Sequence, residues 1–100
     1  MKNRKRGGAS TYANELKQAK VILNKIKKLL ESELRAEMTQ SHKEQVTEMV
    51  GSYTDQLAET LQNVPYEARE RDREYFSLFS HVGDLIMQLG ETPTVGGRRR

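Results

Sequence analysis

The chain has 100 residues, of which 35% are hydrophobic and 31% charged, and its formal net charge is +3. A chain of this length forms one small domain at most, and so low an apolar content provides only a modest core. The absence of cysteine excludes disulfides, thiolate metal sites and cysteine nucleophiles.

Apolar residues never form a long uninterrupted run in this sequence. The longest runs are three residues, at 21–23 and 85–87, whereas a membrane-spanning helix needs about 20. The N-terminal segment also lacks the apolar centre of a secretory signal peptide. We therefore expect a cytoplasmic or nuclear protein that is not secreted and has no transmembrane segment.

Charge is distributed unevenly along the chain. Residues 1–28 contain nine Lys/Arg and one acidic residue, a net charge of +8. Residues 29–97 contain five Lys/Arg and thirteen acidic residues, a net charge of −8, and the last three residues are all arginine. A chain with a basic head, an acidic body and a basic tip steers its association with charged partners.

The first eleven residues combine four cations with two glycines. Such a segment cannot bury enough apolar surface to fold by itself, so we predict a disordered basic tail over residues 1–11. Its cations suit phosphate binding or nuclear import, although a tail that only improves solubility has the same composition. The cations are Lys2, Arg4, Lys5 and Arg6.

A first helix is predicted over residues 12–38, and its most regular part is strongly amphipathic. At about 100° per residue, eight apolar side chains fall within an arc of roughly 140°. Four lysines lie on the opposite side with a fifth at its edge. The apolar residues are Leu16, Ala19, Ile22, Leu23, Ile26, Leu29, Leu30 and Leu34, and the lysines are Lys17, Lys20, Lys27 and Lys28, with Lys25 at the edge.

A basic amphipathic helix has several possible functions. It can bind a nucleic-acid backbone, an acidic protein or an anionic membrane surface, and it can also be an ordinary solvated face over a core.

A second helix is predicted over residues 41–63. Ser41 and Glu44 have the spacing of a capping box, and Gly51 inside the helix suggests close approach of a neighbouring helix or a kink. The outward face is acidic, so it could pair with the lysines of the first helix. The predicted apolar stripe is Val46, Met49, Val50, Tyr53, Leu57, Leu61 and Val64, and the acidic residues are Glu48, Asp55 and Glu59.

A third helix is predicted over residues 65–89, beginning at Pro65 with a highly charged segment. Its apolar residues repeat every seven positions over about two heptads. They can pack on the first two helices or form a seam between two protein molecules. Gly90 is expected to end the helix, and residues 90–100 are expected to form a flexible tail. The candidate interface residues are Tyr75, Leu78, Phe79, Val82, Leu85, Ile86 and Leu89.

The predicted fold class is therefore all-α, with no strand. We expect a three-helix bundle, or a helical hairpin with a third helix, in one domain over residues 12–89. Because a single chain of this composition buries little apolar surface, we expect a homodimer or larger oligomer.

Side chains that could support catalysis are sparse. The sequence has no phosphate-binding glycine loop, and its two histidines, His42 and His81, lack a metal-type companion at helical spacing. His81 is expected to be a half-buried structural residue. We therefore predict no enzymatic activity, no metal site and no cofactor.

The basic first third of the chain determines the leading hypothesis, which is a regulatory or architectural protein that binds nucleic acid with little sequence specificity. Its size and tails are compatible with a viral or phage origin. The alternative is a protein-only adaptor, inhibitor or scaffold that binds an acidic partner or acts through its apolar stripes. The two differ in whether the lysine face is free. The candidate nucleic-acid-binding residues are Lys2, Arg4, Lys5, Arg6, Lys17, Lys20, Lys25, Lys27 and Lys28.

Overall fold

The computed structural model describes residues 12–95, which adopt an all-α fold, as the sequence predicted. One minimal strand pair accompanies the helices in this part of the chain. The elements in order are α1 (Ala13–Glu33), β1 (Met38–Thr39), α2 (Gln40–Leu61), α3 (Tyr66–Arg71), α4 (Arg73–Glu91) and β2 (Thr94–Val95).

Helix α1 is the centre of the bundle, because α2 and α4 both pack against it. Helix α2 runs antiparallel to α1, so that His42 near its start lies 2.8 Å from Glu33 at the end of α1. Helix α4 runs parallel to α1, with Asp72 at its start 2.9 Å from Lys20. Contact between α2 and α4 is slight in comparison.

The apolar arc of α1 supplies the centre of the core. Six of the eight predicted residues are buried, including Ala19, Leu23 and Leu30 with no exposed surface, while Leu29 and Leu34 are partly buried. Periodicity located this face correctly because a helix between two others must bury one wide stripe. Buried residues from the rest of the described chain complete the core: Met38, Val46, Val50, Leu57, Leu61, Val64, Tyr75, Val82, Leu85 and Leu89.

Helix α1 ends five residues earlier than predicted. Leu34 leaves the helix with an extended backbone, φ −67° and ψ 133°, and Arg35 donates a hydrogen bond from Nη1 to the Ser32 carbonyl at 2.7 Å. The segment then extends to place Met38 in the core, only 3% exposed. Burial of Met38 therefore overrides the helical preference of residues 34–38.

The first residue of α2 also differs from the prediction. Thr39 is the N-cap, and its Oγ1 accepts a hydrogen bond from the amide of His42 at 3.1 Å. The capping box predicted at Ser41 and Glu44 is therefore wrong. Glu44 instead accepts a hydrogen bond from Gln40 at 2.8 Å, one turn earlier in the same helix.

The predicted third helix is two helices, divided at Asp72. The backbone of Asp72, with φ −87° and ψ 97°, interrupts the helix. The Asp72 carboxylate accepts a hydrogen bond from the amide of Tyr75 at 3.1 Å. An aspartate N-cap satisfies an amide that the new helix would otherwise leave unpaired. Before this break, Arg69 donates to the carbonyls of Leu61 and Val64 at 2.9 and 3.1 Å and closes the turn between α2 and α3.

Residues 90–95 pack against the bundle and include a short strand, so the predictions of a tail from residue 90 and of no strand are wrong for these residues. Residues 96–100 of the predicted tail lie outside the described residues. Helix α4 passes Gly90 and ends at Glu91. Beyond it, β2 pairs in parallel with β1, in the register Met38 to Thr94 and Thr39 to Val95. Lys43 donates hydrogen bonds from Nζ to the carbonyls of Thr92 and Gly90, at 2.6 and 3.3 Å.

Two further expectations about packing are wrong. A Cβ added at Gly51 would meet nothing within 4 Å, so no neighbouring helix of the domain approaches it closely. Met49, placed in the apolar stripe of α2, is 46% exposed. Among the described helices, none combines the length and apolar character needed to cross a bilayer.

We predict that Leu23→Ala lowers the free energy of unfolding by about 2–5 kcal/mol, because it removes a fully buried side chain from the contact of α1 with its neighbours. Val21→Ala on the outward face of the same helix is the matched control, and it should change stability by no more than about 0.5 kcal/mol. Urea unfolding followed by circular dichroism measures both, and equal effects would contradict this assignment of the core.

Candidate nucleic-acid interface

The outward face of α1 carries a line of exposed lysines. Lys17, Lys25 and Lys28 are exposed, and half-exposed Val21 lies among them. We call these three lysines the lysine ridge. Lys17 and Lys28 are eleven residues apart, which on a helix is about three turns and about 16 Å. The ridge therefore presents a row of cations along one side of the bundle.

The charges of the lysine ridge are not neutralised by neighbouring side chains. Within residues 12–95, no carboxylate lies within 4.0 Å of the ammonium group of Lys17, Lys25 or Lys28. Lys27 is half-buried and likewise has no such partner in the described chain. The pairing of these lysines with the acidic face of α2, considered from the sequence, therefore does not occur.

Lys20 differs from the other predicted lysines because it holds helices together. Its ammonium group lies 2.9 Å from Asp72 Oδ2 and 3.3 Å from Glu74 Oε1, both at the start of α4. The hydrogen bond to Asp72 raises the pKa of Lys20 above its usual 10.5. Burial acts to raise the pKa of Asp72, but hydrogen bonds from Lys20 and the Tyr75 amide outweigh burial and lower it below 3.8. Lys20 is therefore a structural cation.

Two cations that were not among the predicted site residues come close to α1 in the folded chain. Arg71 and Arg73 line a surface groove together with Lys20, but Asp72 and Glu74 line the same groove. In the sequence, this segment is only the highly charged start of the predicted third helix. No sequence pattern predicts that Arg71 and Arg73 lie near α1, because their position depends on the break between α3 and α4 at Asp72.

The four predicted cations of the N-terminal tail, Lys2, Arg4, Lys5 and Arg6, lie outside the described residues.

Both histidines face acidic residues of α1. His42 lies 2.8 Å from Glu33, and His81 lies 3.4 Å from Glu31 with 48% of its side chain exposed. About half of the His81 side chain is therefore buried, as expected. In the part of the chain that the structure describes, no group of three acidic or histidine side chains could hold a metal ion. The histidines therefore connect the C-terminal half of α1 to its neighbours.

The candidate interface residues of α4 divide into two groups. Tyr75, Val82, Leu85 and Leu89 belong to the core of the single chain, and Leu78 is partly buried against it. Phe79 and Ile86 remain 47% and 37% exposed. The heptad repeat of the buried group therefore reflects packing of α4 within the bundle.

Comparison with protein-family models, curated proteins and solved structures returned no match. The chemistry of the surface is therefore the only guide to function. An exposed row of ammonium groups can neutralise phosphates.

We predict that Asp72→Ala lowers the free energy of unfolding by about 1–2 kcal/mol at pH 7, because it removes the N-cap of α4. Asp72→Asn keeps an equally good cap and loses only the ion pair, so its effect should be at most about 1 kcal/mol. Urea unfolding at pH 7 measures both. Equal losses in the two variants would show that the cap does not contribute.

We also predict a pH dependence of this contact. A lowered carboxyl pKa adds stability that is present above its unfolded value and is lost as the pH falls through the folded value. The stability advantage of the wild type over Asp72→Asn should therefore disappear below the usual pKa of 3.8. At alkaline pH it should persist up to 10.5 and fall as the raised pKa of Lys20 is passed. Urea midpoints across pH, compared between the two proteins, measure this difference.

Proposed function

We propose that the protein is a non-enzymatic nucleic-acid-associated protein that docks on phosphates through the lysine ridge of α1. The observation that carries the proposal is that Lys17, Lys25 and Lys28 are exposed in a row with no carboxylate partner among residues 12–95. Unpaired lysines bind phosphates because each contact releases condensed counterions.

The remaining charge of the domain supports a defined orientation on the nucleic acid. Residues 12–95 contain ten Lys/Arg and fourteen acidic residues, so the domain is acidic outside the ridge. A polyanion is attracted to α1 and repelled by the acidic outer face of α2. Residues 1–11 add four further cations, Lys2, Arg4, Lys5 and Arg6, to the same end of the sequence.

The composition of the ridge favours binding with little sequence specificity. Lysine contacts to phosphates position a protein on nucleic acid without reading bases. Between Lys17 and Lys28, only Gln18 and Asn24 have amide side chains, which could hydrogen-bond to base edges. Such binding suits a regulatory or architectural role in the cytoplasm or nucleus.

A protein-only adaptor or scaffold is the second candidate. The exposed apolar side chains of α4, among them Phe79 and Met87 at 47% and 63% exposure, favour it. On that hypothesis the lysine ridge contacts an acidic protein. The same binding experiment distinguishes the two candidates, because a protein-only adaptor or scaffold would not bind nucleic acid even at low salt.

The test measures binding to a short labelled duplex and to a single strand, at salt concentrations from about 50 to 200 mM. We expect the logarithm of the affinity to fall linearly with the logarithm of the salt concentration. In Lys17→Gln/Lys25→Gln/Lys28→Gln the slope on duplex should be smaller by about 3, since each phosphate contact contributes about 0.9.

The matched control is Gln45→Glu/Gln56→Glu/Gln88→Glu. It lowers the net charge by the same three units on exposed positions of α2 and α4, so it should keep the wild-type slope within about 1. Equal losses in the two triple variants would point to net charge alone and contradict a role for the ridge. Absence of binding at about 50 mM salt would reject the proposal itself.

A further inference from the structure

Helix α4 carries more apolar surface than the bundle buries. Beside its buried face, four large side chains remain exposed along one arc: Phe76 at 42%, Phe79 at 47%, Ile86 at 37% and Met87 at 63%. They account for half of the eight exposed large hydrophobic residues between positions 12 and 95. Contiguous exposed apolar surface of this kind marks an interaction site.

The spacing along this arc is that of a helix–helix seam. Phe76, Phe79, Gly83, Ile86 and Gly90 follow one another at alternate steps of three and four residues, which is the pattern of positions that meet a partner helix. We call these five residues together with Met87 the α4 seam. It is distinct from the heptad repeat formed by Tyr75, Val82 and Leu89, whose residues are buried in the core.

The glycines of the α4 seam have open surroundings in the described part of the chain. A Cβ added at Gly83 or Gly90 would meet nothing within 4 Å. A glycine inside a helix is less favourable than alanine, and the open surroundings of Gly83 and Gly90 leave room for another helix to approach their backbone. Close approach of a partner helix is a physical reason for glycine there.

We propose that the α4 seam binds the α4 seam of a second copy of this chain, antiparallel, with the crossing point at Gly83. In this register, residues equally distant from Gly83 face each other. Phe76 and Gly90 are each seven positions away, so the aromatic ring of one copy meets the glycine of the other. Phe79 and Met87 are each four positions away and form an apolar pair.

Charge supports the second copy and the antiparallel direction. Arg73 lies at the start of α4 and Glu91 at its end, both exposed, and on a helical wheel they occupy the same edge beside the seam. Neither has an opposite charge within 4.0 Å in the described chain. Antiparallel pairing places the two edges on the same side of the interface and brings Arg73 of each copy near Glu91 of the other, whereas parallel pairing leaves Arg73 and Glu91 at opposite ends.

The shape of the surface suits the same partner. Phe76, Phe79, Gly83 and Met87 line a groove of about 420 Å³ between α4 and α3. The ring of Phe79 is held in place by stacking on Tyr75, with centroids 5.8 Å apart. The α4 seam lies on a different helix from the lysine ridge, so this inference does not depend on nucleic-acid binding.

The first test measures molar mass by sedimentation equilibrium, without nucleic acid, over about 1 µM to 1 mM protein. We expect a monomer–dimer equilibrium for the wild-type chain. A monomer at every concentration would overturn the proposal, and a dimer that all seam variants leave unchanged would overturn it equally.

Gly83→Ala separates association from folding. Because the added methyl group meets nothing in the monomer and alanine favours a helix, the urea midpoint of the monomer should rise. The dimer should weaken by about tenfold or more, since two methyl groups collide at the crossing point. Gly51→Ala on α2 is the matched control, with the same open surroundings and no expected effect on association. Unchanged or tighter association of Gly83→Ala would overturn the close crossing.

Charge reversal tests the direction. Arg73→Glu alone and Glu91→Arg alone should each weaken the dimer, because each places like charges at both ends of the seam. Both substitutions suit the dipole of the helix end at which they lie, so monomer folding is preserved.

A mixture of the two charge-reversal variants should restore association. In the mixed dimer, the introduced glutamate of one copy faces the introduced arginine of the other. At the opposite end of the seam, the unchanged Glu91 of the first copy faces the unchanged Arg73 of the second, so both contacts are attractive. No restoration on mixing would overturn the antiparallel arrangement.

Discussion

The whole structure depends on burial of the apolar arc of α1 between two helices. Leu23, Ile26 and Leu30 are at most 1% exposed, and the contacts of this face with α2 and α4 are the main helix–helix contacts of the described chain. Once this arc faces inward, the geometry of the helix directs Lys17, Lys25 and Lys28 outward. The lysine ridge therefore follows from the core and requires no special local structure.

The ends of the bundle set the directions of its helices. Asp72 caps α4 and also pairs with Lys20, so the same carboxylate begins one helix and ties it to another. At the opposite end, Lys43 reaches the last carbonyls of α4 close to the short pairing of β1 with β2. These contacts place α4 parallel to α1 even though α2 and α4 touch each other little.

Periodicity in the sequence was sufficient for the all-α class and the buried face of α1, but of the four lysines predicted on the opposite face only Lys17 and Lys28 are exposed. It was insufficient wherever a distant contact determined the local outcome. The early end of α1 depends on the burial of Met38, and the break at Asp72 depends on a cap and on a partner, Lys20, in a distant helix. The role of Lys20 could not be predicted for the same reason, since its carboxylate partners lie on another helix.

The apolar residues of α4 show a related limit. Periodicity joined Phe79 and Ile86 to the core stripe because they border it on the helical wheel, but burial within one chain extends only to Tyr75, Val82, Leu85 and Leu89. In a small bundle built around one central helix, each outer helix buries only the face that contacts the centre and leaves apolar side chains beside that face exposed. On α4 that flank combines aromatic rings, open glycines and a charge of each sign at opposite ends, features that the described part of the chain leaves exposed and that the proposed antiparallel pair would use.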